Sequence, residues 1–546
     1  MKGDFIKKSS TLTILAFTVT GCFNGAGTVL IEGQDYIDHA MAYDGEKFIY
    51  DDTKWYINEL DKVPLPDPHV FVENDTYYIV GTSDRSGCQV VDCYVTRDFV
   101  NYKKHLGIFK PQSYDGWEAS NPIIYAPEIY CFDGVYYMHY SAEDKSGIRH
   151  NSVVQADNPL GPYKPIVNDK VDGLNNPVFD YGENIVLDST VFVDDDGEMY
   201  LYFSEYAKGH QIICGAKLKS PYEADWSTYK VLVRAGEKST NNTESALYWE
   251  TMRKGNKIVE GPYMLKSEGK YYLTYSANGC WNKYYNVCYA VSKDPLGNFV
   301  KPYEEGKLWT NMLMGYPGEK EEDSKDLFDQ WSGFASGTGH HCFFNIGDQM
   351  MIAYHAHQNR DWDGDVFTPR YFAMDALYFD EEGVPFINGP TYSLQPMPEA
   401  ISGYKNVALN ATVKTENVEN KIGINDNHMV KYYNLESPEQ EIILKGRKAT
   451  IELTFDKKYE IGGIAIYNSA YYEKALYNID SIDFGNGNVI RNVEFPYNYV
   501  NYREDFIYPV SAFTYELVKE VKTNKVTLSF NVTGSANINE IVVLGK

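Results

Sequence analysis

A two-part unit recurs five times along the chain and restricts its fold more than any other feature. In the clearest copy, Ile258-Val259-Glu260-Gly261-Pro262-Tyr263 is followed by a turn at Glu268-Gly269 and then by Lys270-Tyr271-Tyr272-Leu273-Thr274-Tyr275-Ser276. Tyr271, Leu273 and Tyr275 alternate with Tyr272 and Thr274, the period-2 pattern of a half-buried strand. Related stretches run through Thr76–Val80, Val135–Ser141, Met199–Ser204 and Gln349–His355. Aligned on Tyr78, Tyr137, Tyr200, Tyr272 and Met351, the copies stand 59, 63, 72 and 79 residues apart, room for several short strands each. Repetition at that period, with turn residues between strands, predicts radial β repetition: an all-β, five-bladed β-propeller.

Before each anchor lies a polar residue at a nearly fixed offset: Asp67, Glu128, Asp188, Glu260 and His340, at 11, 9, 12, 12 and 11 residues upstream. Equivalent positions of propeller blades converge on the axis, so four carboxylates and a histidine are expected to line one cavity. Charge gathered away from water is costly unless it has a use. Taken alone, Asp67 reads as a turn aspartate beside proline and Glu260 as a surface group. Their shared register singles them out. Two carboxyl groups facing each other across a cleft can hydrolyse a glycosidic bond, one protonating the leaving oxygen and the other activating water. Glu260 is the candidate acid, because apolar Ile258 and Val259 and the companion carboxylate Asp188 all raise its pKa. Asp67, pinned between Pro66 and Pro68, is the candidate base, and Asp188 orients and tunes the acid. Trp117 and Trp281, each in a loop beside a repeat, are candidate sugar-stacking residues, although a rim or core position explains Trp117 equally well.

Composition narrows the partners. A net charge of −26 excludes nucleic acid and anionic membrane surfaces, both of which need a basic face, and favours a neutral ligand. The 48 tyrosines suit β structure, most of them as packing between strands. Lys2, Lys7 and Lys8 precede the apolar run Leu12–Phe17 and then Val19-Thr20-Gly21-Cys22. This is an export signal whose end resembles the bacterial lipobox, with Asp4 as a departure from pattern. It implies a lipoprotein signal peptide over 1–22, lipid on Cys22 as the one membrane attachment, and a place in the bacterial cell envelope, periplasmic or surface-exposed. The other reading is an ordinary signal peptide with a chance cysteine. Cys88 with Cys93 and Cys280 with Cys288 are near enough in sequence to bridge local loops, and no Cys-x-x-Cys zinc pattern occurs.

Residues 23–60 form a lead-in expected to join a blade, and 61–398 hold the repeats. From Glu399 the texture changes. Ala449–Asp456, Gly463–Ser469 and Ile538–Leu544 alternate like the strands of a β-sandwich (jelly-roll) over 399–546, a part expected to be separable near Pro398.

Pro66-Asp67-Pro68, Ala126-Pro127-Glu128, Leu187-Asp188 ahead of Asp194-Asp195-Asp196-Gly197, Glu260-Gly261-Pro262 and Gly337-Thr338-Gly339-His340 together resemble glycoside hydrolase family 43, over about residues 60 to 395. The resemblance implies a five-bladed propeller and an inverting glycosidase with Asp67 as base, Asp188 as pKa modulator and Glu260 as acid. It also implies that Arg370 reaches the sugar and that His340 helps hold a structural calcium through waters. Because calcium prefers oxygen ligands, a purely hydrogen-bonded histidine at the axis is the other reading. The tail resembles discoidin-like domains, which are often carbohydrate-binding. Family members act on plant polysaccharides and their oligosaccharides, so the expected activity is an exo-acting α-L-arabinofuranosidase or β-xylosidase, with the long Thr310–Gln330 stretch walling off one end of the groove. An endo-arabinanase or exo-galactanase is the alternative within the family, and a non-catalytic glycan-binding lipoprotein the alternative outside it.

Overall fold

Each repeat folds into a four-stranded antiparallel sheet whose strands follow chain order. The innermost strands are His69–Glu73, Tyr125–Phe132, Ile185–Val193, Val259–Ser267 and Ser336–Ile346. The computed structural model describes residues 36–38 and 51–546 apart from 59–61, 84–88, 180–184, 208–209, 252–256, 282–283, 308, 316–335, 358–369, 391–393, 430–440, 470–473, 475 and 495–511. The export signal with Cys22, Cys88 and most of Thr310–Gln330 lie outside the described residues. Left-handed pairs such as Asn74-Asp75, Asp133-Gly134 and Glu268-Gly269 form the hairpin turns, the conformation that matches the twist of the flanking strands. Innermost strands of successive blades touch, and that of the fifth touches that of the first, closing a five-bladed propeller.

Five apolar clusters each fill the space between two adjacent blades. Tyr271, Leu273 and Tyr275 face the third blade while Tyr272 faces the fifth, so the strand expected to be half-buried is buried on both faces. A radial stack has no solvent side for its inner strands, which is why tyrosine serves on both.

Near its start every innermost strand carries a left-handed residue, Asp67 (φ 51°), Ala126 (40°), Asp188 (57°), Gly261 (54°) and His340 (46°), and the fifth has Gly337 (56°) besides. In blades 2 to 5 the pairing register shifts there, between Tyr125 and Glu128, Leu187 and Thr190, Glu260 and Tyr263, and Gly339 and Cys342. In blade 1 pairing begins two residues after Asp67, at His69. A bulge of this kind bends the strand and re-aims its side chains. It also corrects the equivalences counted from sequence. Asp67, Asp188 and His340 share the bulge position, whereas Glu128 lies two residues after its counterpart Ala126 and Glu260 one before Gly261.

The C-terminal strands build a β-sandwich around a second core. Ala449–Asn468 and Ala512–Phe530 pair along most of their length. The first half of Ala449–Asn468 also pairs with Thr412–Glu416, and the second half with Ser535–Gly545. Register shifts between Thr454 and Tyr459 and between Ile461 and Gly463 let the long strands bend from one layer into the other. Among its described residues the lead-in adds no strand to a blade, although Tyr56 packs into the core between blades 1 and 5 and Asn58 Oδ1 accepts the Met374 N–H of blade 5. Tyr36–Asp38 pairs with a sandwich strand, and Trp55–Tyr56 pairs with Gln395–Pro396. Trp55 is fully buried among Leu394, Tyr404, Ala465, Tyr467, Val542 and Leu544, an apolar seam joining propeller and sandwich.

Candidate active site

The bulges bring Asp67, Asp188, Glu260 and His340 within electrostatic reach of one another. Asp67 is gripped at both oxygens: Arg370 Nη1 donates to Oδ1 at 2.8 Å, with His355 Nδ1 at 3.1 Å and His340 Nδ1 at 3.5 Å, while Thr82 Oγ1 donates to Oδ2 at 2.5 Å. Burial opposes its ionisation, but Arg370, His340 and His355 outweigh it and hold the carboxyl well below the usual range. His355 itself is pushed down to about 3 by burial and stays neutral, stacked on Tyr285 at 5.4 Å.

Glu260 is half-buried. Tyr285 Oη donates to Oε1 at 2.9 Å and Gln211 Nε2 to Oε2 at 3.3 Å. Burial first, and then the charge of Asp188, raise its pKa to about 7. Asp188 is raised as well, chiefly by burial, while the Gly261 N–H donates to its Oδ2 at 3.1 Å. The site therefore holds one carboxyl kept ionised and another kept protonated up to neutrality, the division of labour that acid–base chemistry at a glycosidic bond requires.

Glu128 is buried as well, hydrogen-bonded by Tyr130 Oη, and burial pushes it to about 7. His340 packs against Gly261, where an added Cβ would stand 3.2 Å from Nδ1. Burial disfavours its charge, but Asp67, Asp188, Glu260 and Glu128 together raise its pKa. Among the described residues no three His, Cys, Asp or Glu side chains are arranged to hold a metal ion. Calcium prefers oxygen ligands and His340 offers a nitrogen, so an ion there would be held through waters rather than by the imidazole itself, and no step below runs through a metal.

The remaining expected residues divide. Arg370 serves the Asp67 carboxylate directly. Trp281 is half-exposed, its indole lying over Gly279, and neighbouring Cys280 is near enough to feel Arg370, Glu260, Asp67 and Asp188. Trp117 is corrected: only 6% exposed, it packs on Tyr140 and His150 in the core between blades 1 and 2 and presents no face to a sugar. Cys280 and Cys288, near enough in sequence to bridge, do not; both are free thiols, as is Cys93. Cys288 points instead at Asn286 Oδ1 from a fully buried strand.

Residues not anticipated form a ring of interblade hydrogen bonds. Four positions after each anchor stand Thr82, Ser141, Ser204, Ser276 and His355. Three of them accept the N–H of the next blade's bulge residue on a hydroxyl, Ala126 to Thr82 Oγ1 (2.8 Å), Asp188 to Ser141 Oγ (3.0 Å) and His340 to Ser276 Oγ (2.7 Å), while His355 Nδ1 lies 3.3 Å from the Asp67 nitrogen and 3.1 Å from Asp67 Oδ1. At the fifth junction the Gly261 N–H goes to Asp188, and buried Ser204 Oγ has no hydrogen-bond partner among the described residues. A polar residue recurring at one offset in otherwise apolar strands was the available signal.

Comparison with known proteins agrees with this geometry. A β-D-galactofuranosidase of Aspergillus niger is 26% identical over 331 residues, 58% of this chain and 80% of that protein. A β-xylosidase of Xylanibacter ruminicola is 29% identical over 182 residues, 31% of this chain and 52% of its own length. The chain thus spans about half of the second relative. The crystal structure of a thermostable family-43 glycoside hydrolase superimposes with a TM-score of 0.50 at 25% identity, covering 63% of this chain and 99% of that one. The sequence model described as "Glycosyl hydrolases family 43" matches residues 56–385, most of the chain and all five blades, and the protein belongs to that family.

Proposed function

We propose that the protein is an inverting glycosidase that removes arabinofuranosyl or xylosyl residues from plant cell-wall polysaccharides or their oligosaccharides. The observation that carries this reading is the contrast in protonation within one cluster of interacting side chains, Asp67 held ionised and Glu260 raised to about 7. Glu260 gives its proton to the leaving glycosidic oxygen as the bond to the anomeric carbon breaks. Asp67 takes a proton from the water that attacks the opposite face, and Asp188 keeps Glu260 protonated through its charge. The xylosidase and galactofuranosidase relatives support a glycosidase acting at a terminal sugar. The same reading includes a tether through lipid on Cys22 and a glycan-binding role for the sandwich.

Two measurements test it. NMR of the first-formed anomer on an aryl α-L-arabinofuranoside, β-D-xyloside or β-D-galactofuranoside must show inverted configuration. Retention would make Asp67 a nucleophile and overturn the assigned roles. Preference for the galactofuranoside would shift the substrate class and leave the mechanism standing.

A further inference from the structure

Among the ring residues Thr82 and His355 touch both the next blade's bulge and the Asp67 carboxylate, and Thr82 alone of the ring hydroxyls does so. The backbone N–H of Ala126 can only donate, so at 2.8 Å it uses the hydroxyl oxygen as acceptor. The single hydroxyl proton is thereby committed to Asp67 Oδ2, 2.5 Å away. The direction of the hydrogen bond is settled by a partner in a different blade.

The backbone of Thr82 is equally constrained. Its N–H donates to Pro66 O at 3.0 Å, next to Asp67 in sequence. Gly81 lies so close to the same carbonyl that an added Cβ would stand 2.2 Å from Pro66 O. Ser83 is latched to blade 2 from the other side, its N–H on Ile124 O at 2.9 Å and its Oγ accepting the Ile124 N–H at 2.9 Å. Thr82 is buried, and branching at Cβ limits its side chain to few rotamers.

We propose that Thr82 is a positioning residue for the base, fixing the plane of the Asp67 carboxylate from blade 1 while Arg370 fixes it from blade 5. This rests on the reading of Asp67 as base. An unheld carboxylate can rotate about its last bond, and an oxygen displaced by about 1 Å from the attacking water costs on the order of 10²-fold in rate.

The test compares Thr82→Val, Thr82→Ser and Asp67→Ala on whichever aryl glycoside the enzyme cleaves. Thr82→Val keeps the shape and removes the hydroxyl; kcat should fall about 10²-fold with KM nearly unchanged. The lower pH limit of kcat/KM should move upward, because Asp67 loses a donor to its ionised form. Thr82→Ser, which restores that donor, should recover most of kcat and return the pH limit. A purely structural residue would lower the melting temperature and leave the pH limit in place, and that result overturns the proposal. Wild-type kcat in Thr82→Val beside an inactive Asp67→Ala also overturns it while leaving the base in place. Activity surviving in Asp67→Ala would overturn the base reading itself. If the valine variant does not fold, Thr82→Cys, similar in shape and a weak donor, carries the same comparison.

Discussion

Replacing Asp188 with Asn separates charge from geometry at the acid. Asparagine keeps an oxygen that can accept the Gly261 N–H, now received by Asp188 Oδ2 at 3.1 Å, so the strand bearing Glu260 stays in place. What disappears is the negative charge, the second cause, after burial, of the rise of Glu260 to about 7. A neighbouring charge is worth about 1 to 3 pKa units. Taking the lower figure, the acid moves from about 7 to about 6, and its protonated fraction at pH 7.5 drops from about 0.24 to about 0.03. The variant should therefore lose roughly eightfold in kcat/KM at pH 7.5 and almost nothing at pH 5, where the acid is protonated in both proteins. The sign follows from the role: a general acid works below its pKa, so lowering that pKa pulls in the alkaline limb. The assay is a kcat/KM profile on one substrate with a poor leaving group from pH 4.5 to 8.5. An alkaline limb that stays put or moves upward would show that Asp188 does not tune the acid.

Glu260→Ala should cripple hydrolysis of natural glycosides and spare activated aryl glycosides, whereas Asp67→Ala should abolish both; equal losses in the two variants on both substrates would contradict the assignment. In thermal or urea unfolding, Ser141→Ala should cost about 1–3 kcal/mol, because it strips the acceptor of the Asp188 N–H, while Ser204→Ala, whose hydroxyl is buried without a partner among the described residues, should be neutral or stabilising. Glu128 is raised from 4.5 to about 7 in the folded protein, so its contribution is complete below about pH 4.5 and lost as pH rises through about 7. Stability of the wild type relative to Glu128→Gln should thus decline across that window by up to about 3 kcal/mol, and parallel stability–pH curves would refute it. A chain ended at Pro398 uncovers Trp55, worth about 4–6 kcal/mol of apolar burial, so it should be markedly less stable than the full chain in denaturant titrations.

The propeller was legible because period-2 alternation and a turn recur with each blade, and the axial residues because they sit just ahead of that alternation. The exact equivalences were not, since a bulge inserts a residue that counting cannot see. That is why Glu128 and Glu260 were set level with Asp67 when they flank the bulge position instead. Trp117 shows a different limit: an aromatic in a loop next to a repeat reads the same whether it floors a sugar site or plugs a seam, and only the neighbouring Tyr140 and His150 decide it. The lead-in carried no repeat, so nothing in it indicated that Trp55 belongs to the seam with the sandwich.

The five left-handed residues have a consequence for how such a chain can change. The backbone already adopts the same uncommon conformation at all five points, and Asp, Ala, Asp, Gly and His occupy it in turn. Swapping a functional group there asks nothing new of the main chain, so chemistry at the axis can be rewritten one side chain at a time. Ala126 is the vacant socket: a residue with no functional group, in a conformation that costs an alanine about 1–2 kcal/mol, already held by the Thr82 hydroxyl. An aspartate or asparagine, which tolerates that conformation better than alanine, would bring a fourth polar group to the bulge level beside Asp67, Asp188 and His340 without a new loop, a new strand or a shift of register.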